Sequence, residues 1–267
     1  MATLTITATV EPGHVPPRVK LSLVDSGEPP INSVTVTRTD PSGVVVNVRT
    51  ENGEPLALVA SGATRVATVY DYEMPYGQPV TYSTVQKPLV TTGEVTVAEE
   101  RVWLVHPGVP ARSVPIELMK GSFDDEEEDV LAGVFFPLGR RNAVVISDGK
   151  RKAPAGTLIV GTETPAERRA LGELLADAFP LLLNVPPLVG IDVDTCYIHV
   201  GRLRRARPSD VGTDPHRNWV LPFQVVDMPV GGAQSLRTYQ DVLDEHASFQ
   251  AVLDAYPTFA DLQAPTS

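Results

Sequence analysis

Strict alternation of apolar and polar residues is the feature that most constrains how this chain can fold. Residues 4–10, LTITATV, place Leu4 and Ile6 on one face with threonines on the other, and residues 18–24, RVKLSLV, repeat the pattern. Two later stretches, SVTVTRT at 33–39 and GVVVNVRT at 43–50, alternate in the same way. Because successive side chains of a strand point to opposite faces, this period of two predicts half-buried β-strands.

Turn signals separate these predicted strands. Asp40-Pro41-Ser42-Gly43 has the residues that a type I turn favours, and Asn52-Gly53 is a strong hairpin signal. The stretch TRVATVYDYEMPYGQPVTYSTVQ at 64–86 resembles the later strands of immunoglobulin or fibronectin type III domains, with Tyr82 as the candidate tyrosine corner. We therefore expect a β-sandwich of this type over residues 1–107.

Net charge excludes some classes of function and leaves others open. The chain carries a net charge of −11 at pH 7, and six consecutive acidic residues, DDEEED, occupy 124–129. A net-acidic chain is a poor candidate for general nucleic-acid binding. We interpret the acidic run as a solvated, mobile loop, with binding of a cation or a basic partner as the alternative.

Cysteine content and hydropathy limit the fold further. The single cysteine, Cys196, excludes an internal disulfide and the multi-cysteine zinc patterns, and its apolar surroundings predict a buried strand residue. An apolar run long enough to span a membrane is not found, and the N-terminus does not read as a secretory signal. We therefore expect a globular protein held by packing alone, without membrane insertion.

The composition of the sequence changes after residue 107. Three prolines in HPGVPARSVP, at 107, 110 and 115, predict a stiff connector and a domain boundary. Short apolar stretches then predict strands at 130–139, 142–149 and 156–162.

One helix is predicted in this second region. Thr164 is a suitable N-cap, Pro165 a suitable first residue and Glu167 the partner of a capping box. Leu171, Leu174, Leu175 and Ala178 recur at helical spacing, and Pro180 stops the pattern, so the predicted helix covers 165–178. Further alternation in CYIHVGRL at 196–203 and in WVLPFQVVDMPVGG at 219–232 predicts two more strands, which gives an α+β barrel-like domain over 108–232.

Three segments of this region carry a resemblance to a known family. GTLIVGTETPAERRALGELL at 156–175, LLLNVPP followed by CYIHVGRL, and NWVLPFQVVDMPVGG at 218–232 resemble, in that order, the barrel of phage tail-tip proteins. The likeness is to distal-tail-type proteins and to minor tail proteins of phages that infect actinobacteria. It implies a split barrel that forms a ring-like homo-oligomer, contacts other tail proteins and belongs to the tail tip or baseplate of a virion assembled in the host cytoplasm. It also implies a structural protein without enzymatic activity or cofactor.

The C-terminal residues 233–267 repeat a ten-residue unit. TYQDVLDEHA, SFQAVLDAYP and TFADLQ follow one another, and each carries an aromatic residue followed by aliphatic residues at helical spacing. A continuous helix would rotate this apolar face by about −80° per copy, so breaks at each Thr or Ser are the better interpretation. The repeat resembles the tails of actinobacterial phage minor tail proteins and predicts a helical docking strap, with an intramolecular clasp as the alternative. The predicted contact residues are Tyr239, Val242, Leu243, Phe249, Val252, Leu253, Phe259 and Leu262.

A dense basic patch is a second candidate contact surface. Arg202, Arg204 and Arg205 lack interleaved aromatic residues, which disfavours nucleic acid and leaves a solvated edge or a contact with an acidic neighbour. That neighbour could be the acidic run 124–129 of another subunit.

Two other classes of function remain open. Exposed tyrosines at 70, 72, 76 and 82 would suit a carbohydrate-binding module that recognises host surface glycans, although structural packing is the preferred interpretation of these residues. Asp192 and Asp194 have a spacing that could hold a divalent cation in a metal-dependent hydrolase, but further ligands are not evident. Hydrolase, zinc-protease and nucleotide-binding motifs are not present in the sequence.

Overall fold

The computed structural model confirms a mainly β protein. It describes residues 4–50, 53, 55–85, 90–124, 126–136, 138, 141–191, 193–211 and 213–231. Within these ranges the chain forms nineteen strands and one α-helix. The first nine strands are β1 (Leu4–Glu11), β2 (Arg18–Asp25), β3 (Ser33–Val34), β4 (Val36–Thr39), β5 (Val45–Asn47), β6 (Leu56–Ala57), β7 (Val59–Ser61), β8 (Thr64–Asp71) and β9 (Thr81–Thr84).

These nine strands form what we call the N-terminal two-sheet unit. One antiparallel sheet has the order β1-β2-β8-β7 and another has the order β5-β4-β9, with β3 and β6 paired beside them. The predicted alternation is confirmed on β2, where Val19, Leu21 and Leu23 are buried. They share one core with Val36 of β4 and Tyr82 of β9, so the two larger sheets bury their facing side chains together.

Tyr82 does not make the contact expected of a tyrosine corner. In such corners the hydroxyl bonds to backbone a few residues upstream. Here it donates to the carboxylate of Asp71, at 3.0 Å, and Arg38 donates to the same carboxylate from β4. Burial, followed by the charge of Asp71, raises the pKa of Tyr82 well above its ordinary value. The tyrosine therefore completes a buried ionic cluster that joins the two sheets.

The second half of the chain contains the remaining ten strands and the helix. They are β10 (Val102–Val105), β11 (Val114–Leu118), β12 (Glu126–Glu127), β13 (Val130–Phe135), β14 (Val144–Arg151), β15 (Ala155–Thr162), α1 (Pro165–Leu174), β16 (Leu181–Asn184), β17 (Cys196–Val200), β18 (Arg204–Ala206) and β19 (Arg217–Val226). Short 3₁₀ turns lie at Pro110–Arg112 and Pro187–Val189.

Six of these strands close into a barrel. Their order is β15-β11-β10-β16-β17-β19, and the long pairing of β19 with β15 completes the circle. Inward-facing side chains such as Leu104, Leu158, Ile198 and Leu221 are fully buried. Leu171 and Leu174 of α1 join the same core, so the apolar face of the helix packs against the barrel.

The connector predicted at 107–115 is wrong. β10 precedes it and β11 follows it, and the two strands pair with each other in the barrel sheet. Pro107 and Pro110 lie in the turn between the two strands and Pro115 lies in β11, so the barrel begins at Val102, before the predicted boundary. Sequence composition cannot distinguish a proline-rich linker from a proline-rich turn, because both need the same restricted backbone.

The start of α1 is confirmed, but its predicted end at 178 is wrong. Thr164 Oγ1 accepts a hydrogen bond from the amide of Glu167, and the Glu167 carboxylate accepts from the amide of Thr164. The helix ends at Leu174, and Ala178 has a φ of +48°, outside the helical region. Leu175 stays buried beyond the helix end, which explains why apolar spacing alone overextended the prediction.

Candidate assembly interface

A two-stranded ribbon extends from the barrel, and we call it the arm. It consists of β13 and β14, which pair only with each other among the described strands, and of the described residues of the connection between them (136, 138 and 141–143), which we call its tip. Its base adjoins β12 and the start of β15, where Glu127 pairs with Ala155 and the Lys152 amide donates to the Asp129 carbonyl. The six residues of β13 extend about 20 Å at about 3.3 Å per residue.

The arm exposes apolar side chains on both faces. Phe135 pairs with Val144 on one face, and Val134 pairs with Val145 on the other. Most of these apolar side chains are more than half exposed to solvent, and the exceptions are Val130 and Val144. Their exposed fractions are Val130 45%, Val134 57%, Phe135 55%, Phe136 76%, Leu138 105%, Val144 38%, Val145 61% and Ile146 63%. An isolated hairpin is marginally stable in water, and exposed apolar surface of this extent marks the arm as a candidate interaction site.

The acidic run lies at the base of the arm rather than in an independent loop. Glu126 and Glu127 form β12, which pairs with β15, so the interpretation of the run as a mobile loop is wrong for these two residues. Arg151 lies across from the run, donates to the carbonyl of Glu128 and places its guanidinium 3.9 Å from that carboxylate. The two side chains are largely exposed, so the pair adds little stability.

A groove of about 930 Å³ lies beside the helix, and we call it the helix groove. Strands β10, β11 and β15 form one wall and α1 forms the other, with the turn at 187–191 closing one end. Its apolar surface includes Val114, Ile116, Leu118, Ala170, Leu171 and Ile191. Its size falls within the range of about 300–1,000 Å³ that is typical of protein binding sites.

Acidic side chains surround the helix groove. Glu100, Glu117, Glu163 and Glu167 line it, and all four are exposed. The amide of Glu163 is the main cause that lowers the pKa of Glu167, so this carboxylate is negatively charged at neutral pH. Among the described residues of the lining, Arg101 is the one that is basic, and it is paired with Glu99 at 2.9 Å. The groove therefore combines an apolar floor with a negative rim.

Part of the predicted basic patch lies on the strand at the end of the barrel sheet and packs against the barrel core. Arg204 and Arg205 are exposed on β18, the strand at the end of the barrel sheet, and Arg202 is exposed just before it. The guanidinium of Arg205 lies 4.0 Å from the ring centre of Trp219, a residue of the barrel core. Arg205 thus shields the indole by a cation–π contact, a role that sequence spacing does not reveal.

A buried polar network joins the barrel to the N-terminal two-sheet unit. Arg49 donates to both carboxylate oxygens of Glu73, at 2.5 and 3.2 Å, and Tyr197 of β17 donates to the same carboxylate. Burial and the neighbouring Glu73 raise the pKa of Tyr197 above its ordinary value. The outward-facing Trp103 and Leu182 of the barrel also belong to the core of the two-sheet unit. The two units are therefore joined by both apolar and polar contacts.

The tyrosines proposed for glycan binding are mostly committed to packing. Tyr76 and Tyr82 are fully buried, and Tyr76 donates to the carbonyl of Pro17. Tyr70 and Tyr72 are half-buried, and Arg18 lies 3.9 Å from the ring centre of Tyr70. These contacts favour the packing interpretation and leave no continuous exposed tyrosine surface among the four.

The remaining predicted sites have different outcomes. Asp194 is exposed, whereas Asp192 and the strap residues of 233–267 lie outside the described residues. Groups of three or more metal-ligating side chains do not occur in the part of the chain that the structure describes. Cys196 begins β17 and is half-buried, less than predicted, and His199 is exposed as its place in the alternation predicts.

The arm and the helix groove are the features that sequence reasoning missed. The strands predicted at 130–139 and 142–149 form as β13 (Val130–Phe135) and β14 (Val144–Arg151), so the first is shorter than predicted, and the sequence does not indicate that they project from the barrel. The sequence contains one signal, since β13 and the first three residues of β14 are apolar on both faces and lie close to an acidic run. A strand that is apolar on both faces lies in an interior or at an interface.

Comparison with known proteins gives no identification. The chain matches neither a protein-family model nor a curated protein. In the described part of the chain, no helix combines the length and apolar character needed to cross a membrane.

Proposed function

We propose that this protein is a non-enzymatic structural component of a phage tail tip or baseplate, where copies of it assemble into a ring. The observation that carries this proposal is the arm, whose exposed Phe135, Phe136 and Ile146 need a protein partner. A second copy is the simplest partner, since most soluble oligomers are symmetric assemblies of one chain.

The position of the family resemblance supports the same proposal. Its three segments fall on β15 with α1, on β16 with β17, and on β19, all elements of the barrel or packed against it. The resemblance therefore coincides with one structural unit instead of being scattered over the chain. In this proposal the unit is a distal-tail-like split barrel, and the N-terminal two-sheet unit is an immunoglobulin or fibronectin type III-like sandwich.

The contacts between the two units support a role in which the barrels hold the N-terminal two-sheet units in fixed positions. Because Glu73, Arg49 and Tyr197 fix the two-sheet unit against the barrel, a ring of barrels would present these units in a fixed array. Such an array would dock neighbouring tail proteins in the virion. The C-terminal repeat, which follows Gly231 close to Arg49, would act as a strap to a neighbouring subunit.

Solution mass tests this proposal directly. We would measure the full chain and a chain ending after Gly232 by light scattering, and image both by negative-stain electron microscopy. We expect a discrete oligomer with ring-shaped particles for the full chain, and weaker association after truncation. A full chain that stays monomeric at every concentration would contradict the ring. Equal association of the full and truncated chains would contradict the strap but not the ring.

A further inference from the structure

The tip of the arm and the helix groove are complementary in both polarity and charge. The tip presents Phe136 and Leu138, the two most exposed apolar side chains of the arm, and Arg141, in the same connection between β13 and β14, is also exposed. The helix groove presents an apolar floor and an acidic rim. We infer that the arm tip of one copy binds in the helix groove of the next copy, an inference that rests on the proposed self-assembly and specifies its contact.

The two surfaces lie at opposite ends of one strand. The arm leaves the barrel next to Ala155, the first residue of β15, whereas Gly161 and Thr162 at its other end line the helix groove. Seven residues separate Ala155 from Thr162, or about 23 Å along the strand. In the β12–β15 ladder the chain runs from Gly156 toward Ala155 as it enters the arm, so the arm leaves the barrel at the end of β15 that lies opposite the groove, which favours a second copy over the same chain as the partner.

The chemistry of the contact follows from what each side exposes. Phe136 and Leu138 would lose water contact against Ile116, Leu118 and Ile191, which supplies the affinity.

Rim charges would guide the encounter and fix its orientation. Arg141 would meet carboxylates such as Glu117, and opposite charges at the edge of an interface favour association and suppress wrong partners. Arg101 does not oppose this pairing strongly, because Glu99 holds it in an ion pair.

A contact between two different surfaces has a defined geometric consequence. It is heterologous, so each copy donates one arm and accepts one arm. Repetition of such a contact closes into a ring when the rotation per copy divides a full turn, and otherwise forms a filament. The inference therefore predicts that an arm tip does not bind another arm tip, and that a helix groove does not bind another helix groove.

Charge-reversal variants of the full chain test the contact. Arg141→Glu changes the tip and Glu117→Arg changes the rim, and both residues are exposed, so folding should be preserved. Lys120→Glu and Glu173→Arg are matched controls, because these exposed residues belong neither to the arm nor to the groove lining. We expect each test variant to weaken association at least about tenfold by analytical ultracentrifugation, and each control to leave it unchanged.

Mixing the two test variants separates this contact from other modes of assembly. The Arg141→Glu tip should bind the Glu117→Arg groove, so an equimolar mixture should form mixed pairs, and the double variant should recover self-association. A wild-type oligomer that none of these variants affects would overturn the groove assignment while leaving the proposed function intact. A wild-type chain without self-association would overturn both, and an effect of Glu173→Arg equal to that of Glu117→Arg would show nonspecific electrostatics.

Discussion

The side-chain amide of Asn184, on β16 of the barrel, donates a 2.7 Å hydrogen bond to the backbone carbonyl of Met74 in the N-terminal two-sheet unit. Its carbonyl oxygen accepts from the amide of Tyr76 at 3.0 Å, and Asn184 is completely buried. One barrel side chain therefore satisfies two backbone groups of the loop after β8. This contact couples the folding of the two units, since separating them would leave buried polar groups unpaired.

Replacing Asn184 should destabilise the whole chain. Asn184→Leu removes both hydrogen bonds and leaves the Met74 carbonyl and the Tyr76 amide unsatisfied, at a cost of about 2–4 kcal/mol in the free energy of unfolding. Urea denaturation followed by circular dichroism measures this loss. Asn47→Leu, at an exposed position of β5, is the control, and a loss below about 0.5 kcal/mol for Asn184→Leu would contradict the bridging role.

Glu73 and Tyr197 should differ in their effects on stability. Tyr197→Phe removes one donor from a carboxylate that Arg49 still neutralises, so we expect a loss of about 1–2 kcal/mol. Glu73→Gln leaves the buried guanidinium of Arg49 without its counter-charge, so we expect about 3–5 kcal/mol. Chemical denaturation of both variants ranks them, and the reverse order would show that the Tyr197 hydroxyl contributes more stability than the Arg49–Glu73 ion pair.

Local patterns predicted the elements of this fold better than their assembly. The alternation around Leu21 and the capping residues Thr164 and Glu167 depend on neighbours within a few residues, and the structure confirms them. The pairing of β15 with β19 joins residues more than fifty positions apart, and alternation carries no information about which strands meet. A barrel-like domain was therefore predictable, whereas the membership of β10 was not.

The candidate interface was less predictable for a related reason. A strand that is apolar on both faces has the same sequence pattern in a barrel interior as in an exposed arm, and only tertiary structure separates the two cases. The apolar pattern around Phe135 and Val145 therefore predicts strands correctly but does not indicate that they project from the barrel. The helix groove depends on side chains from β10, β11, β15 and α1, so no local segment contains its signal.

The N-cap of α1 should stabilise the barrel measurably. Thr164→Ala removes the acceptor for the Glu167 amide and should cost about 1 kcal/mol of unfolding free energy. Fluorescence of Trp219, which belongs to the core that the helix covers, follows the transition in urea. Thr96→Ala is the control at an exposed position away from the helix, and equal losses for both variants would exclude a specific capping effect.

His106 should make the protein less stable in mild acid. Its Nδ1 accepts from the amides of Gly108 and Val109, and burial lowers its pKa, partly offset by the nearby charge of Asp177. A histidine with a folded pKa below the unfolded value takes up a proton on unfolding. Stability is therefore complete above the unfolded pKa near 6.5 and falls as the pH drops toward the folded pKa, by no more than about 1.4 kcal/mol per pH unit.

Unfolding free energies at pH 7.5 and pH 5.5 test this dependence. His106→Asn keeps a hydrogen-bond acceptor but removes the titrating ring, so its stability should change less between the two pH values than that of the wild type. His199→Asn, at an exposed position of β17, should retain the wild-type change. If His106→Asn kept the full pH dependence, other groups would be responsible for it.

Removing apolar side chains from the arm should separate association from stability. Phe136→Ser and Leu138→Ser change residues that are 76% and 105% exposed, so the combined variant should unfold within about 0.5 kcal/mol per substitution of the wild type. It should nevertheless show a lower mass by light scattering, because the lost surface would be buried only between copies. Val15→Ser and Val85→Ser form the matched control, since both valines are exposed in the N-terminal two-sheet unit. Unchanged mass in the arm variant, or an equal loss of mass in the control, would exclude the arm as the principal contact.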